Sequence, residues 1–212
     1  MTSQDFSQEF DILYNNISSN QAPGLTEYEK SVFLTQAQEA LILDLYKGTT
    51  GDSFETTEEV TRYLNSLVTT YTVSKITLTD FLNVREVSIA LPTDVWFITF
   101  QAGSISYNLT ERDVIVVPVI QDSLYRELHN PFKGPNKNKI LSLSEDGKIT
   151  LYSKYDINKY YLKYIKRPTP IVLENSELPV EGVSDFSINL PESLHRQILL
   201  RAVQMAKAVW AS

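Results

Sequence analysis

The residue types that ordinarily carry catalysis or bind metals are few in this chain, and their spacing forms no known constellation. There are two histidines, His129 and His195, with neither an HxxxH nor an HxH pattern, so no pair of ligands falls on one helix face or one strand. His129 precedes an Asn-Pro turn, where it can cap a short helix, and His195 lies in the first turn of a helix, facing solvent or a neighbouring subunit. Cysteine is absent, which removes disulfides, thiolate metal sites and cysteine nucleophiles. Adjacent acids occur at Glu58-Glu59 and Glu145-Asp146. Neighbours on a helix point apart and Asp146-Gly147 reads as a hairpin tip, so a cap and a turn explain them better than an acid/base pair. No glycine-rich phosphate loop and no GxSxG are present. The expectation is a protein with no cofactor, no metal and no catalytic residues.

Binding chemistry is better represented. Tyr152, Tyr155, Tyr160, Tyr161 and Tyr164 interleave with Lys154, Lys159, Lys163, Lys166 and Arg167. On a strand over 159–166, Tyr161, Lys163 and Ile165 share one face and Tyr160, Leu162, Tyr164 and Lys166 the other. Such a strand suits a wet protein contact or a polyanion; it equally suits aromatic stems covering a sheet with lysines snorkelling at its rim. Phe97, Phe100 and Tyr107 alternate likewise, as a stacking platform or as a half-buried sheet face.

These residues sit in an unevenly charged chain of 212 residues with net charge −7. Residues 1–106 hold 5 basic and 14 acidic side chains, whereas 133–167 hold 9 basic and 3 acidic. The acidic half argues against tight nonspecific DNA binding by the whole surface, and the basic stretch faces an acidic partner, nucleic acid or simply solvent. The start MTSQDFSQEF has no signal-peptide character, and no apolar run is long enough to span a membrane.

The elements that must position these groups follow from periodicity. Phe6, Phe10, Ile12, Leu13, Tyr14 and Ile17 fit a short first helix, followed by a loop over 15–24. Thr26 with Glu29 forms a capping box for a helix over 27–47, with Tyr28, Val32, Phe33, Ala37, Ala40, Leu41 and Leu45 as its apolar stripe and Gly48 as its C-cap. Thr56 with Glu59 repeats the box before a second helix over 57–69. Alternating runs then predict strands over 73–78, 84–91, 95–102, 105–109, 114–120, 140–143, 148–152 and 159–166. Pro118 places its strand at an edge or end, and Asp122–His129 is one or two helical turns. Pro191 opens a last helix over 191–210, with Leu194, Ile198, Leu199, Ala202, Met205, Ala206 and Val209 at helical spacing. Helices at both ends around consecutive strands predict an α+β fold with a mainly antiparallel β-sheet or sandwich, the N-terminal helices packing with the long C-terminal one.

Three blocks carry a family resemblance: YNNISSNQAPGLTEYEKSVFLTQAQEALILDLY over 14–46, VPVIQDSLYRELHNPFKGPNKN over 117–138, and YLKYIKRPTPIVL with LPESLHRQILLRAVQMAKAVW at the end. They resemble the neck-ring proteins, or head-to-tail connectors, of crAss-like bacteriophages that infect gut Bacteroidales. The last block is also similar to tail-accessory adaptors of short-tailed phages. The resemblance implies one adaptor domain over 1–212, with 1–70 helical, 71–167 mainly β, 168–190 a loop and 191–210 the C-terminal helix. It implies a virion structural protein of the neck or tail, assembled in the host cytoplasm, with no enzymatic activity and no membrane partner. Usually about twelve copies form a ring below the portal protein, extend the DNA channel for passing double-stranded DNA without sequence specificity, and receive the next neck or tail ring protein; closure demands a heterologous interface.

Within that reading, Leu194, Ile198, Arg201, Met205 and Trp210 are expected at the portal or subunit interface. Lys133, Lys137, Lys139, Lys163, Lys166 and Arg167 are expected as DNA-channel or axial contacts. The rival reading is a β-rich glycan- or cell-wall-binding module of a phage tail, using the aromatic strands as its platform. A hydrolase is the weakest reading, because the acid spacing builds no cleft pair.

Overall fold

The computed structural model describes residues 1–15, 24–47, 62–74, 76–77, 79–173 and 190–210. The architecture is α+β, as expected, and the chain forms two compact units, Met1–Leu67 with Pro168–Ser212, and Val68–Arg167. The helices are α1 (Ser3–Asn15), α2 (Glu27–Lys47), α3 (Gln121–Leu128) and α4 (Glu192–Trp210), with a further helical stretch over 62–65. The strands are β1 (Val68–Val73), β2 (Thr79–Phe81), β3 (Val84–Ala90), β4 (Val95–Tyr107), β5 (Thr110–Val119), β6 (Lys139–Glu145), β7 (Lys148–Ser153) and β8 (Ile157–Lys166).

In the helical unit both N-terminal helices begin with reciprocal caps. The Thr26 amide donates to Glu29 Oε2 at 2.8 Å and the Glu29 amide to Thr26 Oγ1 at 3.3 Å, as predicted. Thr2 and Asp5 do the same for α1. The expected Gly48 cap and the Thr56–Glu59 box lie outside the described residues. The buried face of α2 is rotated from the expected stripe: Leu34, Ala37, Leu41, Ile42 and Leu45 are inside, while Tyr28 is exposed and Val32, Phe33 and Ala40 are half-buried. The cause is polar residues that fold inward because they find partners. Lys30 reaches Asp11 at 2.7 Å, Glu27 at 2.9 Å and Ser7 at 3.2 Å. Ser31 donates to the Glu27 carbonyl and accepts from the Leu173 amide. The segment around Ile171–Leu173 runs antiparallel to α2, since Thr35 exchanges hydrogen bonds with Ile171. Phe6 and Phe10 from α1 complete a core with α4.

The β unit is one eight-stranded sheet in the order β1-β8-β4-β5-β6-β7-β3-β2, antiparallel throughout except for β5 beside β6. Five residues link β1 to β2, the two outermost strands. Such a link reaches at most about 20 Å, whereas eight strands laid flat would separate their edges by about 34 Å. The sheet therefore curls until its ends approach. Its inner face supplies one core in which Val87 and Ile89 of β3 join Ile105, Val114, Val116, Ile140, Leu151 and the β8 residues Tyr160, Leu162 and Tyr164. Three register shifts along β4 against β8 accommodate the bend. α3 is the crossover between parallel β5 and β6, and Leu124 and Leu128 cover an outer patch of Val84, Leu141, Leu143 and Tyr152.

Several expected boundaries move. The helix over 57–69 ends by residue 65, and Val68-Thr69 open β1 instead, because this β-branched run pairs with Tyr164-Ile165 of β8. Of the expected strand over 73–78, Val73 alone among the described residues belongs to β1, and Lys75 and Leu78 lie outside them. The separate strands over 95–102 and 105–109 are one strand, β4, which ends in a turn at Asn108-Leu109. Pro118 sits in an interior strand, but the β4–β5 ladder stops at Ala102–Ile115, so at Pro118 β5 pairs only with β6 and no donor is missed on the other side.

Candidate assembly surfaces

The residues expected at an interface on α4 divide sharply. Leu194 and Ile198 are buried inside the helical unit, together with Leu199, Ala202, Val203 and Ala206. They hold α4 in place and present no surface. Met205 is half-buried, and Arg201, also half-buried, pairs with Asp44 of α2. Trp210 closes the helix, and its side chain lies outside the described residues. Val209, expected inward, is exposed. The outward face of α4 runs through Ser193, Arg196, Gln197, Leu200, Gln204 and Ala208, all exposed.

His195 does not face outward either. It is buried against Phe6, at 5.6 Å between ring centroids, and donates through Nε2 to the Leu190 carbonyl at 3.2 Å, while Nδ1 is buried with no hydrogen-bond partner among the described residues. Burial lowers its pKa below the ordinary histidine value, against the opposing pull of the Leu190 carbonyl and Glu192. The ring is thus a neutral core group under the N-terminal amine, which pairs with Glu192 at 2.9 Å. His129 does cap α3, donating through Nδ1 to the Tyr125 carbonyl at 2.8 Å.

The basic residues fall in two places. Lys163, Lys166 and Arg167 occupy the C-terminal end of β8; Lys133 and Lys137 lie in the loop before β6, and Lys139 opens that strand. β4 and β5 lie between β8 and β6, so two strands separate the two groups. Part of the surplus is neutralised locally, since Lys159 pairs with Glu111 and Lys148 with Glu145. The tyrosines resolve as alternation requires. Tyr160, Leu162 and Tyr164 face the core, where the hydroxyls of Tyr160 and Tyr164 donate to Gln101 and Asp94, each at 3.0 Å, and burial raises both pKa values. Tyr161 and Lys163 face out. Of the aromatic platform, Phe97 packs on Trp96 and Tyr107 edge-on against Tyr155, so Phe100 alone of the three stands largely exposed.

The exposed apolar groups lie elsewhere than expected. On the outer face of the sheet Phe100 is 52% and Ile115 62% accessible, and the loop residue Phe132 is 88% accessible. Phe100 is cross-strand neighbour to Lys163, and Ile115 to Lys139, whose ammonium donates to the Phe132 carbonyl. The loop that carries Phe132 is built rigidly. Asn130 Oδ1 accepts from the amides of Phe132 and Lys133, Gly134 donates to the Asn130 carbonyl at 2.7 Å, and Asn136 and Lys139 exchange backbone bonds. A Cβ on Gly134 would come within 2.7 Å of the Asn130 carbonyl. The Asn-Pro-Phe-Lys-Gly-Pro sequence reads only as a turn; its exposed phenylalanine was the signal to take from it. Among the described residues no three His, Asp or Glu side chains group as a metal site, and no helix is long and apolar enough to cross a membrane.

Known relatives name the family. The family described as phage tail ring protein 3/4 matches residues 1–211. The chain is 43% identical to "Ring protein 3" of Bacteroides phage crAss001, over 97% of this chain and 95% of that one. It is 32% identical to "Ring protein 4/5" of the same phage, over 99% of this chain and 94% of the relative. A family match over almost the whole length, with relatives of the same extent, makes the chain a member of the phage tail ring protein 3/4 family of crAss-like phages.

Proposed function

We propose that the chain is a non-enzymatic virion component whose copies close into a ring in the neck, below the portal, extending the DNA channel and seating the next ring or tail protein. The observation that carries the reading is the end-to-end match to two ring proteins. The copy number that suits a portal neighbour is about twelve, joined by a heterologous interface. The exposed face of α4, flanked by Arg201 and Met205, is the surface proposed to dock on the portal or the adjoining copy, held by the buried Leu194 and Ile198, with Trp210 extending it. Lys133, Lys137, Lys139, Lys163, Lys166 and Arg167 are proposed axial or channel contacts. Their separation into two groups favours transient contact with a polyanion over a continuous binding track.

Co-purification tests this reading. The protein, co-expressed with the portal protein of the same genome, is expected to travel with it on sizing. Recovery of the two as separate species would count against portal docking. Lysine contacts with DNA predict an affinity for duplex that falls steeply with salt; a flat salt response removes them.

A further inference from the structure

Charge is divided between the two units. Met1–Leu67 with Pro168–Ser212 carries 16 acidic and 6 basic side chains, whereas Val68–Arg167 carries 10 acidic and 13 basic. Two exposed elements show the division most clearly. From His129 to Lys139, the link from α3 into β6, the chain has three lysines and no acid. Lys133 and Lys137 are exposed and join no ion pair among the described residues, and Lys139 places its ammonium on the neutral Phe132 carbonyl. Phe132 stands among these charges on a backbone fixed by the side chains of Asn130 and Asn136. The helix α1 is the reverse: alone among the described helices it has no basic residue. Asp5, Gln8, Glu9 and Ile12, spaced i, i+3, i+4 and i+7, form one exposed face, on which Ile12 is 58% accessible. Asp5 bonds only the neutral Thr2 cap, and Glu9 joins no ion pair among the described residues. The other charges around α1 are placed elsewhere, with Asp11 on Lys30, the Met1 amine on Glu192, and Lys207 on the Leu13 carbonyl at the far end.

We infer that the 129–139 loop of one copy docks on the exposed face of α1 in the next copy of the ring, with Phe132 against Ile12 and Lys133 and Lys137 against Asp5 and Glu9; the inference rests on the ring reading. A closed ring joins two different surfaces of the same chain. These two are opposite in charge, and each is centred on an apolar residue that its own unit leaves uncovered. An apolar anchor within a charged rim is how a contact gains both strength and orientation, and a loop already fixed by its own hydrogen bonds loses little freedom on docking. Duplex DNA would match the lysines alone, whereas α1 matches the lysines and Phe132 together. Of the six basic residues proposed for axial or channel contact, the three in this loop are then taken by the neighbouring copy.

The deciding experiment exchanges the charges in the full chain. Lys133→Glu with Lys137→Glu reverses the loop, and Gln8→Lys with Glu9→Lys reverses the helix face while leaving the Thr2–Asp5 cap in place. All four side chains are exposed, so the fold is expected to stay intact by circular dichroism. Each reversed variant is expected to need about tenfold more protein or more to form rings, alone or on the portal, as followed by sizing and light scattering. The two reversals combined are expected to recover most of that loss, and Phe132→Ser to weaken assembly like a single reversal. Rings that form from either reversed variant at the wild-type concentration overturn the inference and leave the ring reading standing. Weakening by each reversal with no recovery on combination also overturns it, since the two surfaces would then meet different partners. So does weakened duplex or portal binding with self-assembly unchanged, which would give the loop to DNA or to the portal. A wild-type chain that stays monomeric, alone and with the portal, overturns the ring reading and this contact with it.

Discussion

At the scale of single residues, the polar groups sealed inside the helical unit set its chemistry. His195 is kept neutral first by burial, which depresses its pKa in the fold. The unfolded chain therefore takes up a proton before the folded chain does. The stability this residue supports is complete above about pH 6.5 and declines as the pH falls from there through the lowered folded value. Urea midpoints measured across that window should drop for the native chain and stay flatter for His195→Gln; parallel curves would contradict the assignment. Lys30 shows the opposite balance. Burial opposes its charge, yet the hydrogen bonds to Asp11 and Glu27 prevail and raise its pKa. Lys30→Met is expected to destabilise by about 1–3 kcal/mol in chemical denaturation, less than for a fully buried pair because Asp11 and Glu27 keep access to water. An unchanged midpoint would mean that the methionine side chain replaces the ion pairs without loss. Neither residue was legible as a core group in the sequence. A lysine and a histidine read as outward on periodicity alone, and partners 19 residues away for Lys30–Asp11, or at the chain's N-terminus for His195, carry no local signal.

At the scale of elements, local chemistry fixes where segments begin and long-range pairing decides what they become. The start of α2 follows from Thr26 and Glu29, and the β6–β7 hairpin from Asp146-Gly147, so both were readable. The face of α2 was not, because Lys30 and Ser31 turn inward onto Asp11, Glu27 and the Leu173 amide. Val68-Thr69 continues the helical spacing of Tyr63 and Leu64, and the ladder with β8 overrides it. The β4–β5 hairpin was hidden for a different reason: Leu109 satisfies an alternating pattern and occupies a turn position that seldom holds leucine. Gly103 in β4 is closely packed, since a Cβ there would lie 2.8 Å from Ile140 Cδ1 and 3.3 Å from the Lys159 carbonyl. Gly103→Ala is accordingly expected to overpack the core and lower stability by about 1–3 kcal/mol, read from the urea midpoint. A neutral result would show that Ile140 can swing aside.

At the scale of the whole molecule, the α+β composition and the ring-protein resemblance were accessible from the sequence, whereas the strand order was not. The order β1-β8-β4-β5-β6-β7-β3-β2 depends on pairings such as β3 with β7 and β1 with β8 that leave no mark in local periodicity. The residues first expected on α4 were drawn from its apolar stripe, and that stripe is what a helix buries in its own unit. Leu194 and Ile198 illustrate the point; Phe100, Ile115, Phe132 and Leu109 are apolar groups that the fold leaves uncovered. The most direct test is negative-stain imaging of the purified chain, alone and bound to its portal, with the symmetry of the particles determined. Closed rings of one repeating subunit, stacked coaxially on the portal, are the predicted result. Monomers that leave the portal bare, or open filaments that never close, would contradict the account.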